Sequence, residues 1–324
     1  MRVAGYVGGL LGLTLLFALV LRADLPAMLQ TVASAGWPLS WLIPYRSLYF
    51  LLYALGWFYL LRFYDPQRRA ALGYLFWVTS VREAIDRLLP VASVGGGVAG
   101  VRLLRWRGLP GVPVSATVIV EIVLTLIVSY AFTALGLLLL LDLRATGAQY
   151  HRLLLAFLIS LPAPAVTVLL LRYGSVFKRL QKFLSPLVGA SALSEDAAAL
   201  DQELRACLGR WRALLAAGIL QFAALSAGSF EIWFALRLFG HPVDVATALI
   251  LESMTQTMRH VAFMVPASLG VQEATLVLFG HSLGISSELA LAVSMTKRAR
   301  EVLCGLPSLI SWQWMEGRRL RYAR

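Results

Sequence analysis

The residues best placed to do chemistry stand beside a break in an apolar segment. Val265-Pro266-Ala267-Ser268-Leu269-Gly270-Val271-Gln272-Glu273 lies in a stretch hydrophobic enough for a bilayer. Pro266 removes a backbone donor and Gly270 relaxes the helix within the next few residues. Irregular backbone at membrane depth is tolerated only where it is buried in protein or lines a wet cavity. A helix that restarts after such a break offers free N–H groups and a positive dipole end, which suits a phosphate or other anionic head group near Gly270–Gln272. Leu89-Pro90-Val91-Ala92-Ser93-Val94-Gly95-Gly96-Gly97 has the same grammar. Two interruptions, one per half, point to a transport site between inverted repeats.

Ionisable groups surround both breaks. Glu121, Glu231, Glu252, Arg259, Glu273, Arg298 and Glu301 fall inside or beside apolar segments. A charge at the bilayer centre costs roughly 2.5–3.5 kcal/mol on insertion scales, so such groups should pair or line a polar cavity. Structural ion pairing and snorkelling to the interface are the plainer alternatives. Glu252 and Arg259 are two turns apart on one helical face, so both can point at the second break. Near the first break, Arg82–Asp86 and Glu83–Arg87 have the i,i+4 spacing that pairs opposite charges on a helix.

The elements that carry these residues must be membrane helices. Hydrophobic residues make up 59% of 324, charged residues 14%, and the mean hydropathy is +0.74. Soluble domains are more polar than this. The expectation is an all-α polytopic membrane protein of about six to eight transmembrane helices, with two re-entrant or broken hairpins in inverted repeats. The net charge of +12 does not argue for nucleic acid, because the basic residues cluster at the ends of apolar segments as cytoplasmic loops require. They also suit anionic lipid head groups. Cys207 and Cys304 are too few and too far apart for a disulfide framework, and with four scattered histidines they make no metal site. No cofactor is expected, and the absence of a Walker motif argues against direct ATP use.

In order, Val3–Leu21 reads as a first span rather than a signal peptide. Trp37 and Trp41 follow at interface depth, and a span over 41–61 stops at Arg62. The first hairpin covers 70–107, with an amphipathic helix lying on the inner surface as the alternative. Spans over 112–141 and 153–171 follow, the second kinked by Pro162 and Pro164. The polar loop 172–212, with a helix start at Ser194-Glu195-Asp196, separates a first half (1–171) from a second (213–324) of one membrane domain. The second half has a span to Phe239, the hairpin 244–284 and a last span over 287–315. Counting basic residues gives six full spans with both termini cytoplasmic, the first hairpin opening inward and the second outward. Eight spans remain open if one helix of each hairpin crosses fully.

With these residues in view, the chain resembles the transmembrane (flippase-like) domain family of lysylphosphatidylglycerol synthase. It looks closest to the HpnL membrane proteins associated with hopanoid biosynthesis. The resemblance rests on Pro266 to Glu273, similar to a Pro-x-x-Gly-x-x-Glu signature, on Val81 to Pro90 with Val94-Gly95-Gly96, and on Lys297-Arg298-Ala299-Arg300-Glu301. It implies a bacterial inner-membrane protein that moves a lipid between leaflets, or helps to. Gly97 stands where family members commonly carry a glutamate. No aminoacyl-transferase domain is expected, so lipid lysylation is not carried over from the resemblance.

Three function classes follow. A transporter of a polar-headed, anionic or hopanoid-related lipid would use Pro266, Ser268, Gly270, Gln272, Glu273, Arg298, Glu252, Arg259, Arg82, Glu83, Pro90, Gly95 and Gly96. A membrane scaffold for lipid-biosynthesis enzymes would tolerate changes there and depend on the 172–212 loop. An intramembrane enzyme is least favoured, because no Asp-rich prenyl-phosphate motif, metal-ligand His pair or nucleophile–base constellation appears.

Overall fold

The structure, a computed structural model, describes residues 30, 32–89, 95–143, 148–174, 193–262, 265 and 268–322. Every described element is helical. After a 3-10 turn (Trp37–Trp41) come α1 (Leu42–Leu61), α2 (Leu72–Leu88), α3 (Gly95–Trp106), α4 (Gly111–Leu143), α5 (Ala148–Ser160) and α6 (Pro162–Tyr173). The rest are α7 (Leu193–Leu208), α8 (Trp211–Leu238), α9 (Val245–Val261), α10 (Val271–Ser282) and α11 (Ser287–Tyr322). The expected span at 3–21 and both prolines of the breaks, Pro90 and Pro266, lie outside the described residues.

Local sequence explains these elements. In α2 the buried residues Leu75, Val78, Val81 and Ile85 recur every three or four positions, the stripe of a helix with one packed face. α4 is apolar nearly all round, as a helix facing both protein and lipid must be. α5 gives way to α6 at Leu161, before the Pro162 and Pro164 expected to interrupt it. α8 stops where Gly240 turns left-handed and His241 N–H donates to Leu236 O at 2.9 Å, a glycine-closed helix end. Three stretches among the described residues are long and apolar enough to cross a membrane: Gly111–Leu143, Leu154–Tyr173 and Trp211–Leu238. α11 is longer still at 36 residues, but it carries Lys297, Arg298, Arg300 and Glu301 in its middle.

The helices pack in a reciprocal pattern. α1 lies against α8, α2 against α11, and α9 against α4. All three pairs run antiparallel: Gly56 meets Ala217 while Tyr45 reaches Ala227. Trp77 meets Ser311 while Leu88 meets Gly305, and Ser129 faces His260 while Gly136 faces Ser253. Helix lengths repeat as well, with 17 residues in α2 and α9, 12 in α3 and α10, and 33 and 36 in α4 and α11. The two largest of several apolar clusters follow from this packing. One is built on Trp57, Leu60, Leu75, Leu103 and Leu104, the other on Leu140, Ile232, Leu236, Ile250 and Leu276. α4 and α8 contribute to both, through Val114 and Ala217 to the first and Leu137 and Ile232 to the second.

Candidate functional site

The second hairpin ends α9 at Val261 and restarts at α10 after two left-handed residues, Ser268 (φ 49°) and Gly270 (φ 75°). Glycine adopts that conformation freely; a serine does so at a cost of about 1–3 kcal/mol and keeps it only where its surroundings fix it. They do: Ser268 N–H donates to Val265 O at 3.0 Å, and Arg298 Nη2 donates to Ser268 O at 2.9 Å. Arg298 also donates from Nε to Glu273 Oε1 at 3.1 Å, so one guanidinium ties the break to the first turn of α10. Glu273 and Gln272 are wholly buried. Gln272 Nε2 donates to Ser294 Oγ at 2.7 Å, and Ser294 Oγ donates on to Glu273 Oε1 at 3.0 Å. Glu273 Oε2 and Gln272 Oε1 have no hydrogen-bond partner among the described residues.

From Glu273 the charges continue along the inner faces of α9 and α11. Arg298 Nη1 stands 3.4 Å from Glu301 Oε2, and Arg259 Nη2 donates to Glu301 Oε1 at 2.8 Å. Glu252 accepts from Lys297 Nζ at 2.5 Å and from Gln256 Nε2 at 2.7 Å. Glu252 and Arg259 therefore share a buried face, as their spacing predicts, but each is neutralised by a different residue of α11.

The first hairpin is wired differently from its sequence reading. Glu83–Arg87 forms at 3.0 Å, whereas Arg82–Asp86 does not. Arg82 donates instead to the buried Glu121 on α4 at 2.7 Å and lies over the Trp57 ring at 4.4 Å. Asp86 turns to the start of α3, accepting from Gly96 N–H at 2.9 Å. A buried carboxylate gains more from a charge-assisted backbone bond at a helix N-terminus than from a local pair on a helix surface, which is worth about 0.2–0.5 kcal/mol. Gly96 permits this contact, since a Cβ there would stand 2.6 Å from the Arg82 carbonyl oxygen and collide with Asp86.

The first hairpin is joined to α1, α8 and α11 through residues the sequence reading did not assign to the site. Glu83 Oε1 accepts from Arg87 Nε and also from Arg46 Nη2 of α1, at 2.9 Å. Arg46 reaches Glu231 of α8 at 3.7 Å, and Arg300 of α11 holds the same carboxylate at 2.9 Å. Ser294 and Lys297 complete the set. Arg46 left a signal, being the lone charge in the twenty residues of α1. The partners of Ser294 and Lys297 lie 21 and 45 residues away, beyond the reach of helical spacing. Gly95 opens α3, and no group of three or more His, Cys, Asp or Glu able to hold a metal gathers among the described residues.

This arrangement can hold buried charge in a fixed geometry between two packed cores. Breaking one member of such a pair typically costs about 3–5 kcal/mol, because the partner is stranded. Comparison with known proteins matches residues 6–307 to the family described as "Lysylphosphatidylglycerol synthase TM region". No curated protein and no solved structure matches the chain. With nearly its whole length matched, its apolar helices and its two broken hairpins, this chain belongs to the lysylphosphatidylglycerol synthase transmembrane-region family and is a multi-pass membrane protein tied to lipid handling.

Proposed function

We propose that the protein is a flippase-like lipid transporter, moving a polar-headed lipid between leaflets rather than catalysing a reaction on it. The observation that carries this reading is two chains of buried ion pairs, one from Glu83 through Arg46 and Glu231 to Arg300 and one from Arg259 through Glu301 and Arg298 to Glu273. Intramembrane charges are costly and are kept where they line a pathway or bind a polar ligand. The repeated helix lengths and the antiparallel packing of α1 on α8 support two inverted repeats of a six- to eight-span protein, with the site at their interface. The reading places the protein in the bacterial inner membrane with both termini cytoplasmic. On the resemblance to HpnL proteins, a hopanoid-related lipid is the first substrate to try, and lipid-biosynthesis enzymes are the first partners.

The test is leaflet transfer by the full chain in liposomes carrying fluorescent phosphatidylglycerol or phosphatidylethanolamine, with a hopanoid-containing set in parallel. The expected result is transfer by the parent protein and at least a tenfold loss in Glu273→Gln, with folded yield retained. Equal transfer by protein-free liposomes and by the parent would remove the transporter and bring the membrane scaffold forward.

A further inference from the structure

Charge of one sign collects where two helix ends far apart in sequence come together. α3 and α11 run parallel at their C-termini: Arg102 donates to Glu316, 214 positions away, while Arg319 lies over the Trp106 ring at 5.1 Å. Arg69, Arg102, Arg105, Arg107, Arg318 and Arg319 surround this junction, all of them exposed. Arg69 reaches it from the loop before α2, donating to Gly108 O at 3.1 Å. In the stretches that carry these residues, 62–74, 101–110 and 312–321, the only acids are Asp65 and Glu316. Asp65 is taken by the N–H groups of Arg69 and Ala70, and Glu316 by Arg102. No carboxylate among the described residues pairs with Arg105, Arg107, Arg318 or Arg319. The acidic helix α7, whose Glu203 accepts from Tyr64 at 2.8 Å, packs mainly on α4 and α6.

Aromatic rings set the level of the patch. Arg107 lies over Tyr74 at 4.3 Å and Arg318 over Trp314 at 4.8 Å, beside the Arg319–Trp106 stack. Stacking occupies the flat face of a guanidinium and leaves its N–H edge available to an oxyanion. α11 passes from exposed Leu306, Ile310 and Trp314 to exposed Arg318 and Arg319, and α3 from exposed Val98 to exposed Arg102 and Arg105. Two parallel helices thus change from apolar to basic at one level, with tryptophan at the change, as at the boundary between hydrocarbon and head groups. A charge bias that sets topology needs only basic residues on one side of the membrane. Stacking them on rings at one junction is more than that bias requires.

We infer that the joined C-terminal ends of α3 and α11 are a docking surface for the anionic head groups of the adjoining leaflet, with phosphodiester oxygens held across Arg105, Arg107 and Arg319. The phosphodiester brings the negative charge that the junction lacks, and its oxygens fit the guanidinium fork. Each basic residue near an anionic lipid surface strengthens association by about fivefold. A zwitterionic head group carries the same phosphodiester together with a cation of its own, so the surface discriminates by net charge. It uses none of the residues on which the transport reading rests, and the two stand or fall separately.

The experiment gives the full chain in neutral detergent an equimolar mixture of phosphatidylglycerol and phosphatidylcholine and counts the retained lipids by native mass spectrometry. Phosphatidylglycerol is expected to be retained at least about tenfold over phosphatidylcholine, and inorganic phosphate should not displace it. The combined variant Arg105→Gln, Arg107→Gln, Arg319→Gln should lose the preference, and lysine at the same three positions should keep most of it. Arg237→Gln is the control: that arginine also lies over a tryptophan, Trp233, but at the other end of the bundle, and its loss should leave the preference unchanged. A photoreactive phosphatidylglycerol should mark the peptides holding 102–108 and 314–319 of the parent protein, which locates the surface even if the combined variant fails to fold. Equal retention of the two lipids, a preference that survives the three glutamines, or crosslinks confined to other peptides overturns the proposal. An equal loss in Arg237→Gln overturns it by assigning the preference to diffuse charge. Displacement by inorganic phosphate overturns it by assigning the patch to a free anion.

Discussion

Gly97 in the first hairpin and Glu273 in the second occupy the same place in their halves. Val271 and Ser287, which open α10 and α11, each stand 176 positions after Gly95 and Gly111, which open α3 and α4. That shift carries Gly97 onto Glu273, Val118 onto Ser294 and Ile122 onto Arg298. The contacts at the shifted positions correspond. A Cβ on Gly97 would meet Val118 at 3.3 Å and Ile122 at 3.7 Å, while Glu273 is held by Ser294 and Arg298. One architecture thus packs an apolar contact on one side and a charged triad on the other. The lengths of α2 and α9 match in the same way, placing Asp86 opposite Arg259: one binds a backbone N–H at a helix start, the other a carboxylate on α11. A helix pair stands in each half, but only the second carries the charged triad.

The strongest way to break this comparison is to strand a charge where the halves join. Glu231→Ala leaves Arg300 and Arg46 without their shared carboxylate, and a loss of about 3–5 kcal/mol is expected in a denaturant titration in mixed micelles. The next test sets two helix crossings against each other. Gly136→Ala on α4 drives a methyl into Ser253, and should cost about 1–3 kcal/mol. Gly305→Ala on α11 meets the tip of Leu88 at 2.6 Å, which can turn aside, so its cost should fall at the lower end of that range.

A smaller effect separates the helix starts. Asp244 caps α9 by accepting from Thr247 N–H at 2.8 Å, whereas α2 begins at Ala71 with no side-chain cap. Asp244→Ala should cost about 1 kcal/mol, and Ala71→Asp should recover a similar amount in the first half. The Thr247 hydrogen bonds hold the Asp244 carboxyl below its ordinary range. Its contribution is therefore fully present above the usual aspartate pKa and fades as pH falls through the depressed value. The difference between parent and Asp244→Ala should shrink in acid. Gly97→Ala should move least, within about 1 kcal/mol, because the helix propensity gained offsets the slight crowding against Val118. A large loss there would mean that the first hairpin also works at close tolerance.

Much of the fold was legible because its signals are local. Apolar runs, prolines and glycines give helix order, and α2, α3, α9 and α10 fall within the ranges 70–107 and 244–284. The burial of Glu121, Glu231, Glu252, Glu273 and Glu301 was also legible, since a carboxylate in an apolar segment has to leave the lipid. Pairing was not. Spacing offered Asp86 to Arg82, and only the packing of α3 and α4 against α2 gave each a better partner.

By itself the sequence determined a helical membrane protein with charged groups beside two proline–glycine interruptions. Hydrophobicity and backbone chemistry act over a few residues, so they can be read without the fold. Tertiary structure decided which charges meet, that Arg46, Ser294, Lys297 and Arg300 belong with them, and that the halves differ at Gly97 and Glu273. Those contacts join residues tens to hundreds of positions apart, and a buried charge takes whichever partner the packed helices bring within hydrogen-bond reach.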